Sequence, residues 1–114
     1  MNFDSAIFYS YDVNASVRFY VEVIGLTLEY QSGDVFASFL FPNEVRLGIK
    51  KKTDDREIPG AQTVFIGVDD IEEIYKKFKE SKQRFFKDLT SQTWGKEFSI
   101  LDPDDNKILF RTKR

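Results

Sequence analysis

Histidine and cysteine are both missing from this chain, and that bounds its chemistry before any other feature is read. Imidazole is the commonest general base, and with carboxylate and thiolate it makes up the usual donor set of catalytic metals. Disulfides and thiolate nucleophiles are excluded outright. A general acid or base would have to be a carboxylate or a tyrosine with a shifted pKa. Tyr9 and Glu29 are the plausible candidates, and neither has an evident partner. No nucleophile–base pair, phosphate-binding glycine loop or acidic dyad is visible. The chain is instead rich in rings, with twelve Phe, five Tyr and one Trp. That is more aromatic surface than a small core requires, so part of it is expected to line a cavity or an interface.

The elements that would position these rings begin with residues 3–11, an apolar and aromatic strand. Asp12 offers an N-cap, Val13, Val17, Tyr20 and Ile24 follow at helical spacing, and Gly25 stops the helix. Three strands come next, over 26–31, 35–41 and 45–50, with turns at Ser32-Gly33-Asp34 and Pro42-Asn43-Glu44. The polar stretch from Lys51 to Gly60 is the one linker-like segment. Residues 63–68 then read as a strand, and Ile71, Ile74, Tyr75 and Phe78 as a helical stripe. Asp70 with Glu73 fits a capping box, and Glu72/Lys76 and Glu73/Lys77 fit i,i+4 ion pairs. A short strand over 84–87 and a looser stretch lead to Trp94.

The last segment, WGKEFSILDPDDNKILF from Trp94 to Phe110, predicts a hairpin. Phe98, Ile100, Ile108 and Phe110 alternate at period two and belong on one buried face. Asp102-Pro103-Asp104-Asp105-Asn106 supplies the turn, in which Asp and Asn tolerate left-handed φ. Sliding the chain by 58 residues lays Asp12-Val13 on Asp70-Ile71, each ending a strand and starting a helix. Two βαβββ halves follow, about 1–52 and 61–114 with a linker over 53–60, within a single α+β domain.

Charge excludes more than it suggests. At a formal net charge of −2, nothing marks a nucleic-acid surface. Lys50-Lys51-Lys52 and the tail from Arg111 to Arg114 are short enough to be solvated strand ends. No apolar run approaches a membrane span and Met1-Asn2-Phe3-Asp4 is not a signal peptide, so a cytoplasmic location is expected.

The hairpin motif resembles the C-terminal signature of the glyoxalase/bleomycin resistance/dioxygenase (vicinal oxygen chelate) superfamily, with Asp105 where D-P-D-G-N carries glycine. Phe19-Tyr20 and Ile24-Gly25-Leu26 resemble that family's F-Y-x-x-x-L-G-L segment. The resemblance implies that paired βαβββ modules form a cupped mixed sheet around a ligand cavity. It also implies a homodimer, because a second chain often completes the cup.

Family enzymes hold a divalent metal in that cup. By the same resemblance, the four ligand positions fall on Ser5, about Gly48, Thr63 and Leu109. Two hydroxyls, a hydrogen and an isobutyl group cannot grip a catalytic metal. The metal-dependent activities of the family are therefore not expected, and no cofactor is implied. Non-catalytic relatives, the bleomycin-resistance proteins, lack the ligands and bind drug, and the segment from Trp94 to Phe98 is closest to that branch.

The expected cup lining is Ser5, Ile7, Tyr9, Arg46, Gly48, Thr63, Phe65, Trp94, Leu109 and Arg111. Period two puts Ile7 and Tyr9 with Ser5, Phe65 with Thr63, Arg46 with Gly48, and Leu109 with Arg111. Such a lining suits a flat or amphipathic organic molecule held by stacking and a few polar anchors. Each residue also has a plainer reading. Tyr9 and Phe65 could pack between strands, Trp94 could plug a loop, and Arg46 could pair with a surface Glu. Phe36, Phe39 and Phe41 cover both faces of one strand, and Phe85 and Phe86 point opposite ways. The leading expectation is a metal-free, small-molecule-binding homodimer, with antibiotic sequestration as its specific version. Its rivals are a diverged metal-independent lyase or isomerase of the same superfamily, and a non-enzymatic interaction module whose cup is filled by its own side chains. Catalysis is the minority reading.

Overall fold

The structure, a computed structural model, describes residues 1–113. Its elements run β1 (Ser5–Ser10), α1 (Val13–Phe19), β2 (Thr27–Ser32), β3 (Phe36–Leu40), β4 (Arg46–Lys51), β5 (Thr63–Val68), α2 (Ile71–Glu80), β6 (Phe85–Gln92), β7 (Gly95–Leu101) and β8 (Lys107–Thr112). The strands form two four-stranded sheets, ordered β1-β4-β3-β2 and β5-β8-β7-β6. In each, the first strand pairs parallel with the last and the other pairings are antiparallel. This is the βαβββ repeat, twice. The registers repeat as well: Ser5, Ile7 and Tyr9 lie across from Arg46, Gly48 and Lys50, as Thr63, Phe65 and Gly67 lie across from Lys107, Leu109 and Arg111. No helix among the described residues is long and apolar enough to cross a membrane.

Two compact units result, one of residues 1–62 with Pro103–Asp105, the other from Thr63 to Asp102 and from Asn106 onward. In the first, Asp12 caps α1 by accepting from Ala15 N. Phe8, Ala37, Phe39, Leu47 and Ile49 are buried with Val13 and Tyr20 of the helical segment. The stripe through Ile24 is not one regular helix. After Phe19 the backbone widens into a π turn over Tyr20–Ile24, and Gly25 at φ 85° returns its N–H to Tyr20 O. Tyr20 is fully buried against Phe39 and Phe19, so packing of one large ring accompanies the extra residue in the turn.

The tip of the β7–β8 turn belongs to this first unit. Asp104 accepts from Ser10 Oγ at 2.6 Å, Ser16 Oγ at 3.0 Å and Tyr11 N at 2.9 Å. The stretch expected as a linker, 53–60, is also tied in: Glu57 accepts from Lys50 Nζ and from Thr53 N, each at 2.7 Å.

In the second unit, Phe98, Ile100, Ile108 and Phe110 are all buried, as their alternation predicts. Phe98 stacks on Phe110 at 5.1 Å and meets Phe78, Tyr75 and Phe85 edge-on or tilted. The turn closes through Asp102 Oδ1, which accepts from Asn106 N, and Asp105 takes φ 67°. Three expectations need correction here. The strand at 84–87 extends to Gln92, because two register shifts let a polar segment keep pairing with β7. Asp70 stands at the N-cap of α2 without a side-chain capping bond, so the capping box does not form. Glu72 turns to Lys96 rather than to Lys76, which reaches Glu80 instead.

Candidate functional site

Alternation gives each sheet one face against its helix and one face away from it. Phe8 and Ser10 of β1 face α1, where Ser10 Oγ lies 2.9 Å from Ser16 Oγ. Ser5, Ile7 and Tyr9 therefore face the other way, beside Arg46, Gly48 and Lys50 of β4. In the second unit Phe98 and Phe110 face α2, which leaves Thr63, Phe65, Leu109 and Arg111 on the opposite face. Trp94 joins them from the β6–β7 turn, with its ring against Arg111. Within each unit, the residues expected to share a face share it.

The first unit's face is polar at one end. Arg46 grips Glu29 with a two-pronged bond, Nε to Oε1 at 2.8 Å and Nη2 to Oε2 at 2.9 Å. Ser38 Oγ donates to the same carboxylate at 3.2 Å. Glu29 reaches this face by alternation from Thr27, which lies across from Leu40 and so on the side of Arg46. The Arg46 guanidinium, with Ser38 assisting, holds the Glu29 carboxyl below its ordinary range, and the Arg46 pKa rises in return. Glu29 thus has a partner that sequence reading missed, and Arg46 has the acidic mate that its plainer reading offered. No spacing rule links residues 29 and 46, because their meeting depends on strand order. Lys50 is likewise neutralised by Glu57.

At the metal-ligand positions the side chains do not fit a cation. Ser5 and Thr63 offer neutral hydroxyls, and Leu109 offers none. Gly48 has no side chain to donate, and the space one would enter is held by Ile7 and Phe36, whose Cδ1 and Cζ lie 2.5 Å and 3.1 Å from where a Cβ would stand. Among the described residues, no group of three or more His, Cys, Asp or Glu is placed to hold a metal.

The second unit's face is aromatic and cationic. Phe65 is 58% exposed and Trp94 40% exposed. The Arg111 guanidinium carbon lies 4.2 Å from the Trp94 ring centroid and 5.5 Å from that of Phe65. Arg111 Nε is shut off from solvent and has no hydrogen-bond acceptor among the described residues. At the other end, Lys107 sits 4.6 Å over the exposed Phe86. The remaining rings divide between core and face. Phe39 is core, Phe36 borders Gly48, and Phe85 packs on Phe98. Of the basic tail, Arg111 to Lys113 are in place and Arg114 lies outside the described residues. The Arg111–Trp94 pair was within reach of the sequence. Counting back from the turn, Leu101 opposite Lys107 sets Glu97 opposite Arg111, three residues from Trp94.

The model of the Glyoxalase/Bleomycin resistance protein/Dioxygenase superfamily matches residues 2–110. No curated protein matches the sequence. Among solved structures, a lactoylglutathione lyase from Agrobacterium tumefaciens is similar at TM-score 0.82 and 18% identity, over 97% of this chain and 92% of that one. The bleomycin-binding protein of Streptomyces verticillus, complexed with copper(II)-bleomycin, gives 0.79 and 20%, over 100% and 98%. TioX from Micromonospora sp. ML1 gives 0.80 and 13%, over the whole of both chains. At these identities the likeness is one of fold.

Proposed function

Since the chain belongs to the glyoxalase/bleomycin resistance protein/dioxygenase superfamily, we propose that it is a metal-free binding protein for a small organic molecule. The observation that carries this reading is the open aromatic face of the second unit, where Phe65 and Trp94 flank the Arg111 guanidinium. Rings left exposed beside an anchoring cation suit a flat ligand better than solvent. Ser5, Gly48, Thr63 and Leu109 offer a metal at most two neutral hydroxyls.

Antibiotic sequestration is the specific version, supported by the fold shared with the bleomycin-binding protein. The protein works in the cytoplasm as a homodimer, and light scattering on the purified chain would check the dimer. A diverged lyase or isomerase is disfavoured, because Glu29 is locked to Arg46 and its lowered pKa makes it a poor proton acceptor.

Thermal denaturation tests the reading. Adding zinc, nickel, manganese or iron(II), or a chelator, leaves the melting temperature unchanged, whereas at least one member of a panel of flat organic compounds raises it as the native state is occupied. A stoichiometric metal held through the purification, or a panel of planar compounds with no stabiliser among them, would overturn it.

A further inference from the structure

The lining faces carry several cations, and they differ in how they are satisfied. Arg46 is forked onto Glu29 and Lys50 is held by Glu57. Arg111 stands apart: among the described residues no carboxylate pairs with it, and its Nε–H is buried without an acceptor. A buried donor without a partner costs free energy and is uncommon in folded proteins. Glu97, its cross-strand neighbour, lies opposite in register yet makes no ion pair with it. The same face also carries Lys107 and Lys87, so its charge is mainly positive.

From this we propose that Arg111, backed by Trp94 and Phe65, is the anchor for an anionic group on the ligand, and that the ligand is a planar organic acid. Trp94 covers one side of the guanidinium, and the Nη groups, unlike the enclosed Nε, offer N–H donors to an acceptor arriving from solvent. A carboxylate or phenolate matches those donors with charge-assisted hydrogen bonds. The aromatic body attached to it meets the exposed ring of Phe65. This deepens the binding reading above and rests on it.

Calorimetric titration with three probes of one shape tests it: naphthoate, its neutral methyl ester, and naphthylmethylammonium. The carboxylate binds about tenfold or more tightly than the ester, the margin of a charge-assisted hydrogen bond, and the ammonium binds weakest. Arg111→Gln abolishes the preference for the acid while ester binding persists, and Arg56→Gln, a fully solvated charge control, leaves the preference intact. Should Arg111→Gln fold poorly, Arg111→Lys and the wild-type salt dependence serve instead. Naphthoate affinity then falls with ionic strength while ester affinity does not. Equal binding of all three probes, or preference for the ammonium, overturns the anion anchor and leaves the binding reading standing. No binding by any probe sinks both.

Discussion

Ile7 Cδ1 fills the space in which Gly48 would carry a Cβ, with 2.5 Å between the two positions. A small residue and a large one have divided a single volume on neighbouring strands, at cross-strand partners of the β1–β4 register. The terminal methyl belongs to a flexible side chain, so the conflict with any larger residue at 48 is real but relievable.

Gly48→Ala therefore sets two effects against each other. Restricting the unfolded chain favours alanine by about 0.5–1 kcal/mol, whereas overpacking costs about 1–3 kcal/mol. The expected net is a loss of about 1 kcal/mol in urea unfolding. Adding Ile7→Val removes the clashing methyl, so the double variant should lose less than the sum of the two single changes. Strict additivity would mean that the two side chains do not compete.

Asp104 ties the far end of the chain to its beginning, accepting from the hydroxyls of the buried Ser10 and Ser16 and from Tyr11 N. Asp104→Ala leaves these donors short of an acceptor and should cost about 2–3 kcal/mol. Asp104→Asn keeps one oxygen and should cost less. Equal stability of all three proteins in denaturant titration would refute the clasp.

Acid should weaken the loop around Glu57. Lys50, with help from the Thr53 N–H, lowers the Glu57 pKa to about 2 from an ordinary 4.5. A carboxyl depressed in the folded state stabilises above its unfolded pKa and loses that contribution as pH falls through the folded value. The melting-temperature gap between wild type and Glu57→Gln should be full above pH 4.5 and close as pH approaches about 2. A gap independent of pH would assign the stabilisation to something other than the charge.

Alkali acts in the opposite sense on Tyr75, whose hydroxyl donates to Asp88 Oδ1 at 2.6 Å. That bond, and burial after it, raises the Tyr75 pKa above 10.0. Its contribution is present below pH 10 and is lost as pH rises through the folded pKa. Phenolate absorbance of wild type minus Tyr75→Phe should show one tyrosine titrating late, and Asp88→Asn should bring it back toward the ordinary value.

Much of the architecture was readable from local pattern. The alternation of Phe98, Ile100, Ile108 and Phe110 predicted their common buried face, and Asp105 took the left-handed φ that its place in the turn demands. Asp12 caps its helix and Gly25 ends the helical segment, since both act through backbone atoms a few residues away. Expectations missed where distant pairing competed with local preference. The polar residues 88–92 stayed in β6 because β7 offered partners, and Glu72 left its own helix face for Lys96.

What the sequence by itself determined is the repeat, the hairpin and the lack of imidazole and thiolate donors, because composition and period-two burial do not depend on distant contacts. The tertiary structure alone decided that Arg46 is spent on Glu29, that Ile7 occupies the space beside Gly48, and that Arg111 is set beside Trp94 and Phe65 with no carboxylate among the described residues paired to it. Those outcomes turn on strand order and on which side chain reaches a given space first, and side-chain charge and size are neutral on both until the strands have paired.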